Sequence, residues 1–357
     1  MKKLCFVLGT RPEIIKVAPI IKLCEKKKIK YFVIFTNQHY DKNMSDKFFN
    51  ELKIKKPKYK ILPKKKRGSN FIDNLSEKIK KILFIEKPYI VIVQGDTNSS
   101  LAGAIATKKI NYKKKEILLA HVEAGLRSYD YRMPEEFNRQ VIDGFSDILF
   151  PPTTIQKKIL LNEGFEKNKI FVTGSTISDS LKLIKFKNKI KEKFILLTIH
   201  RHELLTDKVS TIKLFKTLNK IALKTTRQII FFCHPRTLKI LNNYKIILNK
   251  NFKINGPVNY KKFLNYLYNC DYALSDSGGI QEEACILKKH LITLRLSTER
   301  PETIKIDSNF LSMKFDKIIN RIKEISQNKP RWKSPYGKNV SQKIIKEILN
   351  EKNFICN

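Results

Sequence analysis

Short apolar runs alternate with longer amphipathic segments along most of the chain. A short apolar run is typical of a buried strand, whereas apolar residues spaced three and four apart are typical of a helix. Helices are predicted at 13–27 and 71–85. In the first half of the chain, strands are predicted at residues 4–8, 31–36, 89–94, 117–121, 148–150 and 170–173. Strands that alternate with helices predict a parallel sheet covered on both faces.

The same alternation starts again after a polar, lysine-rich segment at residues 185–193, which suits a surface crossing between domains. Helices are predicted at 208–225, 261–268 and 340–351. The second set of strands is predicted at residues 194–199, 228–233, 272–275 and 291–294. We therefore predict an α/β protein with two domains that face each other across a cleft. Their predicted boundaries are residues 1–177 and 178–339, followed by a C-terminal helix, 340–357, that packs back on the first domain.

The chain has 357 residues, of which 42% are hydrophobic, so there is enough apolar material for two cores. No apolar run reaches the ~18 residues of a membrane span, and the run at residues 4–9 is too short for a signal peptide. The six cysteines form no CxxC pair. These features predict reduced cysteines in a cytoplasmic protein.

The formal net charge of +39 raises the question of nucleic-acid binding. The lysines are spread along the whole chain and do not gather in one stripe, which argues against a dedicated nucleic-acid surface. A general attraction for anionic ligands is expected in either case.

The predicted strand at 117–121 is followed closely by a cluster of charged residues. The cluster contains Glu123, Asp130, Glu135, Glu136, Arg127, Arg132 and Arg139. Open α/β sheets bind their ligands at the carboxyl ends of strands, and carboxylates beside guanidinium groups can move protons next to an anionic substrate. Glu135 and Arg139 lie four apart, so they share one helix face. A solvated helix start with ion pairs explains this segment, taken alone, equally well.

Two other strand ends in the first half carry candidate groups. Arg11 and Lys16, at the start of the first helix, predict an anion site together with the helix N-terminus. An ordinary capped turn is the alternative. Asp96 follows the strand at 89–94, where it can transfer protons or cap the next helix; capping is the commoner role of an aspartate there.

In the second half, His200 and His234 each follow a predicted strand, and a histidine at such an end can donate a proton near neutral pH. A metal site formed by His200, His202 and Glu203 is the competing interpretation. It is disfavoured because the segment has no HExxH pattern and no cysteine ligands. We predict no metal.

Residues 276–284 form the most specific single motif, a strand end followed by Ser277, Gly278 and Gly279 at the start of a helix. The two glycines let backbone N–H groups approach a phosphate, and the helix dipole favours its charge. Glu283, one turn further, can accept hydroxyl groups of a ribose. Arg300 offers another anion or sugar contact. The motif predicts a nucleoside diphosphate site without a Walker lysine.

Taken in chain order, the motifs resemble those of the non-hydrolysing UDP-N-acetylglucosamine 2-epimerase family. The matching residues are 9–13, 95–97, 121–127, 134–139, 200–201, 234–235, 276–284 and 298–302. The resemblance implies two Rossmann-like domains in the GT-B arrangement, with the active site between them. It also implies a homodimer that needs no metal or redox cofactor, and interconversion of UDP-GlcNAc and UDP-ManNAc through loss of UDP and the C2 proton.

The resemblance further assigns roles to individual residues. It implies that Asp96, Glu123 and Glu135 are the acid/base candidates, in an order that stays open, and that His200 protonates or orients the leaving diphosphate. The residues that match UDP-binding positions are Arg11, Lys16, Arg139, His234, Ser277, Gly278, Gly279 and Glu283.

Three other functions remain open at this point. One is epimerisation of a different UDP-2-acetamido sugar; those relatives carry Asn-Arg-Cys where this chain has Leu126-Arg127-Ser128, which favours UDP-GlcNAc. Another is a GT-B glycosyltransferase, which would not need three carboxylates for C2 deprotonation. The third is a basic binding protein without catalysis. The intact run at 121–125 argues against a hydrolysing relative.

Overall fold

The computed structural model describes residues 2–38, 49–62, 69–111, 117–186, 190, 192–205 and 207–350. The chain divides into two compact units. The first consists of residues 1–183 and 335–357, and the second of residues 184–334. The chain therefore returns to the first unit after completing the second.

The first unit contains a parallel six-stranded sheet in the order β3-β2-β1-β4-β5-β6. Its strands are β1 (Leu4–Leu8), β2 (Tyr31–Phe35), β3 (Tyr59–Lys60), β4 (Ile90–Gln94), β5 (Leu118–Val122) and β6 (Ile148–Phe150). Its helices are α1 (Arg11–Lys26), α2 (Ser69–Glu86), α3 (Asn98–Asn111), α4 (Pro134–Phe145), α5 (Thr154–Asn162), α6 (Ile177–Lys182) and, numbered last because it ends the chain, α14 (Val340–Leu349).

The second unit repeats this design, with a parallel six-stranded sheet in the order β12-β11-β10-β7-β8-β9. Its strands are β7 (Phe194–Thr198), β8 (Gln228–Phe232), β9 (Phe252–Asn255), β10 (Tyr272–Ser275), β11 (His290–Thr293) and β12 (Asn309–Leu311). Its helices are α7 (His202–Leu205), α8 (Lys208–Thr225), α9 (Pro235–Asn243), α10 (Tyr260–Asn269), α11 (Gly278–Ile286), α12 (Pro301–Lys305) and α13 (Phe315–Gln327).

Both sheets have the Rossmann strand order, and in each the order reverses between the first and the fourth strand. In the first unit this switch point lies between β1 and β4, and in the second unit between β7 and β10. The predicted α/β class with two Rossmann-like domains is confirmed. Since ligands bind beyond the carboxyl ends of strands at a switch point, we expect the ligand site at the turns after these four strands.

The local sequence explains why the elements form where they do. β1 and β4 are buried along their whole length, as expected for apolar strands covered on both faces. α1 begins with Pro12 in its first turn and a capping box of Thr10 and Glu13. The C-terminal helix α14 packs against α1, and its Ile344 and Ile348 side chains are fully buried in the same apolar cluster as Ile14 and Ile21.

The structure corrects one strand prediction and adds three strands that were not predicted. Residues 170–173 were predicted to be a strand but make only an isolated bridge, between Ile170 and Leu149. β6 is followed there by Pro151 and Pro152, which have no N–H groups to continue the ladder. The strands β3, β9 and β12 were missed. They are edge strands of two to four residues, and β9 has no fully buried position that would mark it as apolar.

No helix in the described part of the chain is long and apolar enough to cross a bilayer. The five cysteines that the structure describes are buried and unbridged.

Candidate active site

Glu13 ties together the two turns at the switch point of the first sheet. Its carboxylate is buried and accepts hydrogen bonds from the backbone N–H groups of Gly9 (3.0 Å) and Thr10 (2.6 Å), in the turn after β1. It also accepts hydrogen bonds from the hydroxyl groups of Thr97 (2.8 Å) and Ser100 (3.0 Å), beyond β4. Burial raises the pKa of Glu13, and these hydrogen bonds oppose the rise.

Glu123, the first residue after β5, carries a buried carboxylate that is paired with a lysine. The Nζ atom of Lys16 lies 2.5 Å from its Oε1 and 2.7 Å from its Oε2, and the Gln94 amide also donates to it. The backbone of Glu123 has a φ of 74°, a left-handed conformation that costs a non-glycine residue about 1–3 kcal/mol. Strain of this size at a strand end is a common mark of a functional position.

Asp96, two residues beyond β4, is the second carboxylate at this end of the sheet. It accepts hydrogen bonds from Nε (2.9 Å) and Nη2 (2.5 Å) of Arg139, which comes from α4. The Asp96 side chain is 29% exposed, whereas Arg139 is almost fully buried. Because β4 and β5 are neighbours in register, Asp96 and Glu123 leave adjoining strands at the same edge.

The two glutamates that begin α4 differ sharply in environment. Glu136 is fully buried, accepts a hydrogen bond from Nη1 of Arg139 (2.5 Å), and receives the backbone N–H groups of Ser128 and Tyr129. Glu135 is exposed. Glu135 was one possible partner of Arg139, but within α4 Arg139 binds the carboxylate of Glu136, three residues away.

In the second unit, Asp276 joins the ends of β7 and β10. Its Oδ2 accepts the backbone N–H groups of His200 (2.9 Å) and Arg201 (2.7 Å), and its Oδ1 lies 3.1 Å from Nδ1 of His200. Burial alone would raise the pKa of Asp276, but the hydrogen bonds and charge of His200 lower it. Asp276 thus holds the backbone N–H and Nδ1 of His200. The His200 side chain is still 48% exposed, so the rest of the ring faces solvent.

His234 follows β8 and caps α9, where its Nδ1 accepts the backbone N–H of Arg236 at 3.3 Å. Partial burial lowers the pKa of His234, and the nearby charges of His200 and Arg236 lower it further. His234 and His200 are thus close enough to influence each other.

Gly278 and Gly279 are the first two residues of α11, directly after Ser277 at the helix N-cap. A Cβ atom on Gly278 would lie 2.0 Å from Oε1 of Glu299, so this position has no room for a side chain. On Gly279 the nearest atom would be Oγ of Ser277, at 4.0 Å. The helix N-terminus therefore leaves open space beside Gly279, as an anion site requires.

Two further charged residues of the prediction are buried near this helix. Glu283 accepts a hydrogen bond from the Tyr260 hydroxyl at 2.7 Å. Arg300 lies just before α12, and its Nη2 is 3.2 Å from Oε2 of Glu282. Each of the two carboxylates, Glu282 and Glu283, is thus oriented by a partner from another element.

The predicted residues therefore assemble as two groups. The structure brings Lys16, Asp96, Glu123 and Arg139 to one end of the first sheet, with Arg11 partly buried at the first residue of α1. It brings His200, His234, Ser277, Gly278 and Gly279 to the corresponding end of the second sheet. Among the side chains that the structure describes, no three metal-ligating groups cluster; those of His202 and Glu203 lie outside the described set.

Sequence reasoning missed several residues that hold the site in place. They are Glu13, Gln94, Tyr260 and Asp276. Only Glu13 carried a local signal, because Thr10 and Glu13 match the capping-box spacing. The other contacts join separate elements or depend on loop geometry, which the sequence pattern does not reveal.

A family model described as UDP-N-acetylglucosamine 2-epimerase matches residues 21–350. The UDP-N-acetylglucosamine 2-epimerase of Methanocaldococcus jannaschii is 43% identical, over 97% of this chain and 98% of its own length. The crystal structure of that enzyme in complex with UDP-GlcNAc and UDP matches with a TM-score of 0.88, over 97% of this chain and 99% of that one.

The UDP-2,3-diacetamido-2,3-dideoxy-D-glucuronate 2-epimerase of Pseudomonas aeruginosa is 35% identical, over 87% of this chain and 88% of its own length. The similarity thus extends over nearly all of the chain, both units included. The chain belongs to the UDP-N-acetylglucosamine 2-epimerase family.

Proposed function

We propose that this chain interconverts UDP-GlcNAc and UDP-ManNAc. The reaction would eliminate UDP together with the C2 proton to give a 2-acetamidoglucal, and then add UDP back with the C2 configuration inverted. One observation carries the proposal. In a chain 43% identical to a UDP-N-acetylglucosamine 2-epimerase, Asp96 and Glu123 follow the adjoining strands β4 and β5 at the carboxyl edge of the first sheet, each bound to its own cation.

Inversion at C2 needs two proton-transfer groups, because a proton that leaves one face of the sugar must return on the other. The C2 hydrogen is barely acidic, so the group that removes it has to be a positioned base. Asp96 and Glu123 supply two carboxylates from two different turns. Glu135 remains the third candidate, exposed at the start of α4. We leave open which carboxylate serves which face.

The cations of the first unit hold these carboxylates. Lys16 and Arg139 neutralise Glu123 and Asp96 and keep each side chain in one position. We propose that Arg11, Lys16 and Arg139 also attract the negative charge of the substrate. Lys16 would then bind the Glu123 carboxylate and also attract the diphosphate of the substrate.

The second unit supplies the groups that suit the nucleotide. The Ser277 hydroxyl and the N–H groups of Gly278 and Gly279 can bind a phosphate at the N-terminus of α11. Glu283 can accept ribose hydroxyl groups, and Arg300 and His234 can contact the anion. His200, held by Asp276, has an exposed ring edge that can donate a proton to the departing diphosphate.

Product analysis tests the proposal directly. Purified protein is incubated with UDP-GlcNAc alone, and the nucleotide sugars are separated by chromatography. We expect UDP-ManNAc to accumulate to a constant ratio, and the same ratio to be reached from UDP-ManNAc. Release of UDP with free N-acetylmannosamine would indicate a hydrolase, and turnover only with an added acceptor sugar would indicate a glycosyltransferase. Either outcome contradicts the proposal.

A second substrate deserves the same assay because one relative, 35% identical, is a UDP-2,3-diacetamido-2,3-dideoxy-D-glucuronate 2-epimerase. The higher identity to a UDP-N-acetylglucosamine 2-epimerase favours UDP-GlcNAc. We expect kcat/KM to be higher for UDP-GlcNAc than for the diacetamido-glucuronate. A higher kcat/KM for the diacetamido-glucuronate would instead identify that sugar nucleotide as the substrate of this chain.

We extend the proposal to a cytoplasmic homodimer that uses no cofactor. The five cysteines in the described part of the chain are buried and unbridged, which is consistent with a reducing compartment. Phe84 and Ile85 on α2 are 70% and 72% exposed, as in a surface covered by a partner. We expect sedimentation to give twice the chain mass, and Phe84→Glu to shift the protein towards the monomer. A wild-type monomer would contradict this extension.

A further inference from the structure

His121, inside β5, makes two hydrogen bonds with groups that can only accept. The ring is fully buried. Its Nδ1 lies 2.7 Å from Oδ1 of Asp143, and its Nε2 lies 2.9 Å from the backbone carbonyl oxygen of Gly95. Both distances are those of good hydrogen bonds.

A neutral imidazole cannot satisfy both contacts. It has one N–H donor and one nitrogen lone pair, so one of its nitrogens would set a lone pair against an acceptor oxygen. The imidazolium form has two N–H donors and satisfies both. In a buried site the difference is large, because an unmade hydrogen bond there is not replaced by water.

The surroundings balance the charge that this form requires. Asp143 is fully buried, and its Oδ2 lies 2.8 Å from Nη2 of Arg127. Arg127 in turn binds Glu163 through Nε (2.9 Å) and Nη2 (2.6 Å). Burial would raise the pKa of Asp143, but the charges and hydrogen bonds of His121 and Arg127 lower it. With His121 as an imidazolium, positive and negative groups would alternate along the series His121, Asp143, Arg127, Glu163.

The hydrogen bond from His121 to Gly95 matters because Gly95 directly precedes Asp96. The Gly95 N–H donates to the Val122 carbonyl at 3.0 Å, and the Gly95 carbonyl accepts from His121. Both backbone polar groups of Gly95 are therefore bound by residues of β5. Gly95 has a φ of 68°, and the next residue is Asp96. Two residues after His121 stands Glu123. One buried ring thus lies between the turns that carry both proposed proton-transfer groups.

We propose that His121 is a positioning residue, held as an imidazolium, that fixes the Gly95–Asp96 turn and so orients Asp96 for proton transfer. The part of this inference that concerns Asp96 rests on the proposed function. The protonation of His121 does not, and it can be tested in protein of any activity.

The first test is ¹⁵N NMR of the full-length protein labelled at histidine. The chain contains six histidines, and the signals lost in His121→Gln identify those of His121. We expect both ring nitrogens of His121 to give N–H signals at pH 7. An unprotonated ring nitrogen in His121 would overturn the inference.

The second test separates positioning from folding by kinetics with UDP-GlcNAc. His121→Phe keeps a buried ring but removes both donors, and we expect kcat to fall by roughly 100-fold while KM changes little. His121→Gln retains a donor for the Gly95 carbonyl and should recover part of that loss. His290→Gln, a buried histidine of the second unit, serves as the matched control and should leave kcat unchanged.

The outcomes are distinguishable. Equal losses in the Phe and Gln variants, or a rise in KM without a fall in kcat, would contradict positioning of Asp96. Wild-type protein without epimerase activity would reject the proposed function, while the NMR result would still decide the protonation state. If His121→Phe does not fold, the labelled wild-type protein and the Gln variant still supply both tests.

Discussion

Lys16 and Glu123 form a buried ion pair, with Nζ of the lysine 2.5 Å from Oε1 of the glutamate. Their side chains are only 9% and 5% exposed, and 107 residues separate them in the chain. A buried charge is tolerated only when it is paired. The pair therefore keeps a carboxylate at the end of β5 that would otherwise be unstable there.

Removing the lysine alone should destabilise the protein. Lys16→Met preserves much of the side-chain volume but leaves the Glu123 carboxylate buried without this cation. Breaking a buried pair costs about 3–5 kcal/mol, and we expect a loss of that order in the free energy of unfolding of the first unit. Urea denaturation, followed by circular dichroism, measures it.

The double variant Lys16→Met/Glu123→Gln supplies the control. It removes both charges, so it should recover much of the stability that Lys16→Met loses. If the single and double variants are equally unstable, the pairing is not what stabilises Glu123.

Glu123→Gln should disable catalysis without disturbing nucleotide binding. The amide keeps the shape of the side chain but cannot accept a proton from C2. We expect turnover to fall at least ~100-fold, with UDP affinity unchanged in calorimetry. Glu166→Gln, which alters an exposed ion pair with Lys169, is the matched control and should behave as wild type. Glu123→Gln activity within about tenfold of wild type would exclude Glu123 as a proton-transfer group.

The two glycines of α11 should respond differently to a methyl group. Gly278→Ala places its Cβ 2.0 Å from Oε1 of Glu299, so that side chain must move. Gly279→Ala meets nothing closer than 4.0 Å, and at such a site alanine typically adds about 0.4–1 kcal/mol of stability.

Both variants should nevertheless weaken UDP binding, because the methyl group keeps a phosphate from the backbone N–H groups. Calorimetry with UDP and thermal unfolding measure the two effects. Gly256→Ala adds a Cβ with nothing within 4 Å and should leave UDP affinity unaltered. Wild-type affinity in Gly279→Ala would place the phosphate elsewhere.

His290 should make the protein less stable in mild acid. Burial lowers its pKa, with a further contribution from Arg321, and neither ring nitrogen has a hydrogen-bond partner within the described residues. The unfolded chain therefore takes up this proton more readily than the folded one. Stability is complete above the ordinary histidine pKa of about 6.5 and falls as the pH drops below it.

His290→Phe keeps an aromatic ring against Trp332, whose ring centroid lies 4.9 Å away, and removes the titrating group. We expect this variant to lose less stability than wild type between pH 7 and pH 5. The pKa of His234 is also lowered, so the variant should still lose some stability as the pH falls, with a smaller slope of unfolding free energy against pH. Equal slopes in the two proteins, measured by urea unfolding, would show that His290 does not contribute.

The fold was largely predictable because its central strands are short apolar runs, such as β1 and β10, separated by amphipathic helices. Three of the four edge strands, β3, β9 and β12, were not predictable, because each has only two to four residues and β9 has no buried position. Edge strands form by pairing with a neighbour, and that information is not local in the sequence.

In the candidate site, too, some residues could be predicted from the sequence and others could not. Asp96, Glu123 and the glycines of α11 could be selected because they follow apolar runs, where an α/β sheet binds ligands. Their partners could not. The bond from Arg139 to Asp96 spans 43 residues, and that from Tyr260 to Glu283 spans 23. His121 is the first residue of a recognised motif, yet its role depends on Asp143, 22 residues away.

Proton NMR in heavy water tests the central claim most directly, namely that carboxylates at the carboxyl ends of β4 and β5 exchange the C2 proton. Wild-type protein with UDP-GlcNAc should replace the C2 proton by deuterium in both epimers, with the nucleotide sugar intact. Asp96→Asn and Glu123→Gln should each slow this replacement by at least ~100-fold. UDP-ManNAc that retains its original C2 proton, or rapid exchange in both variants, would contradict the account.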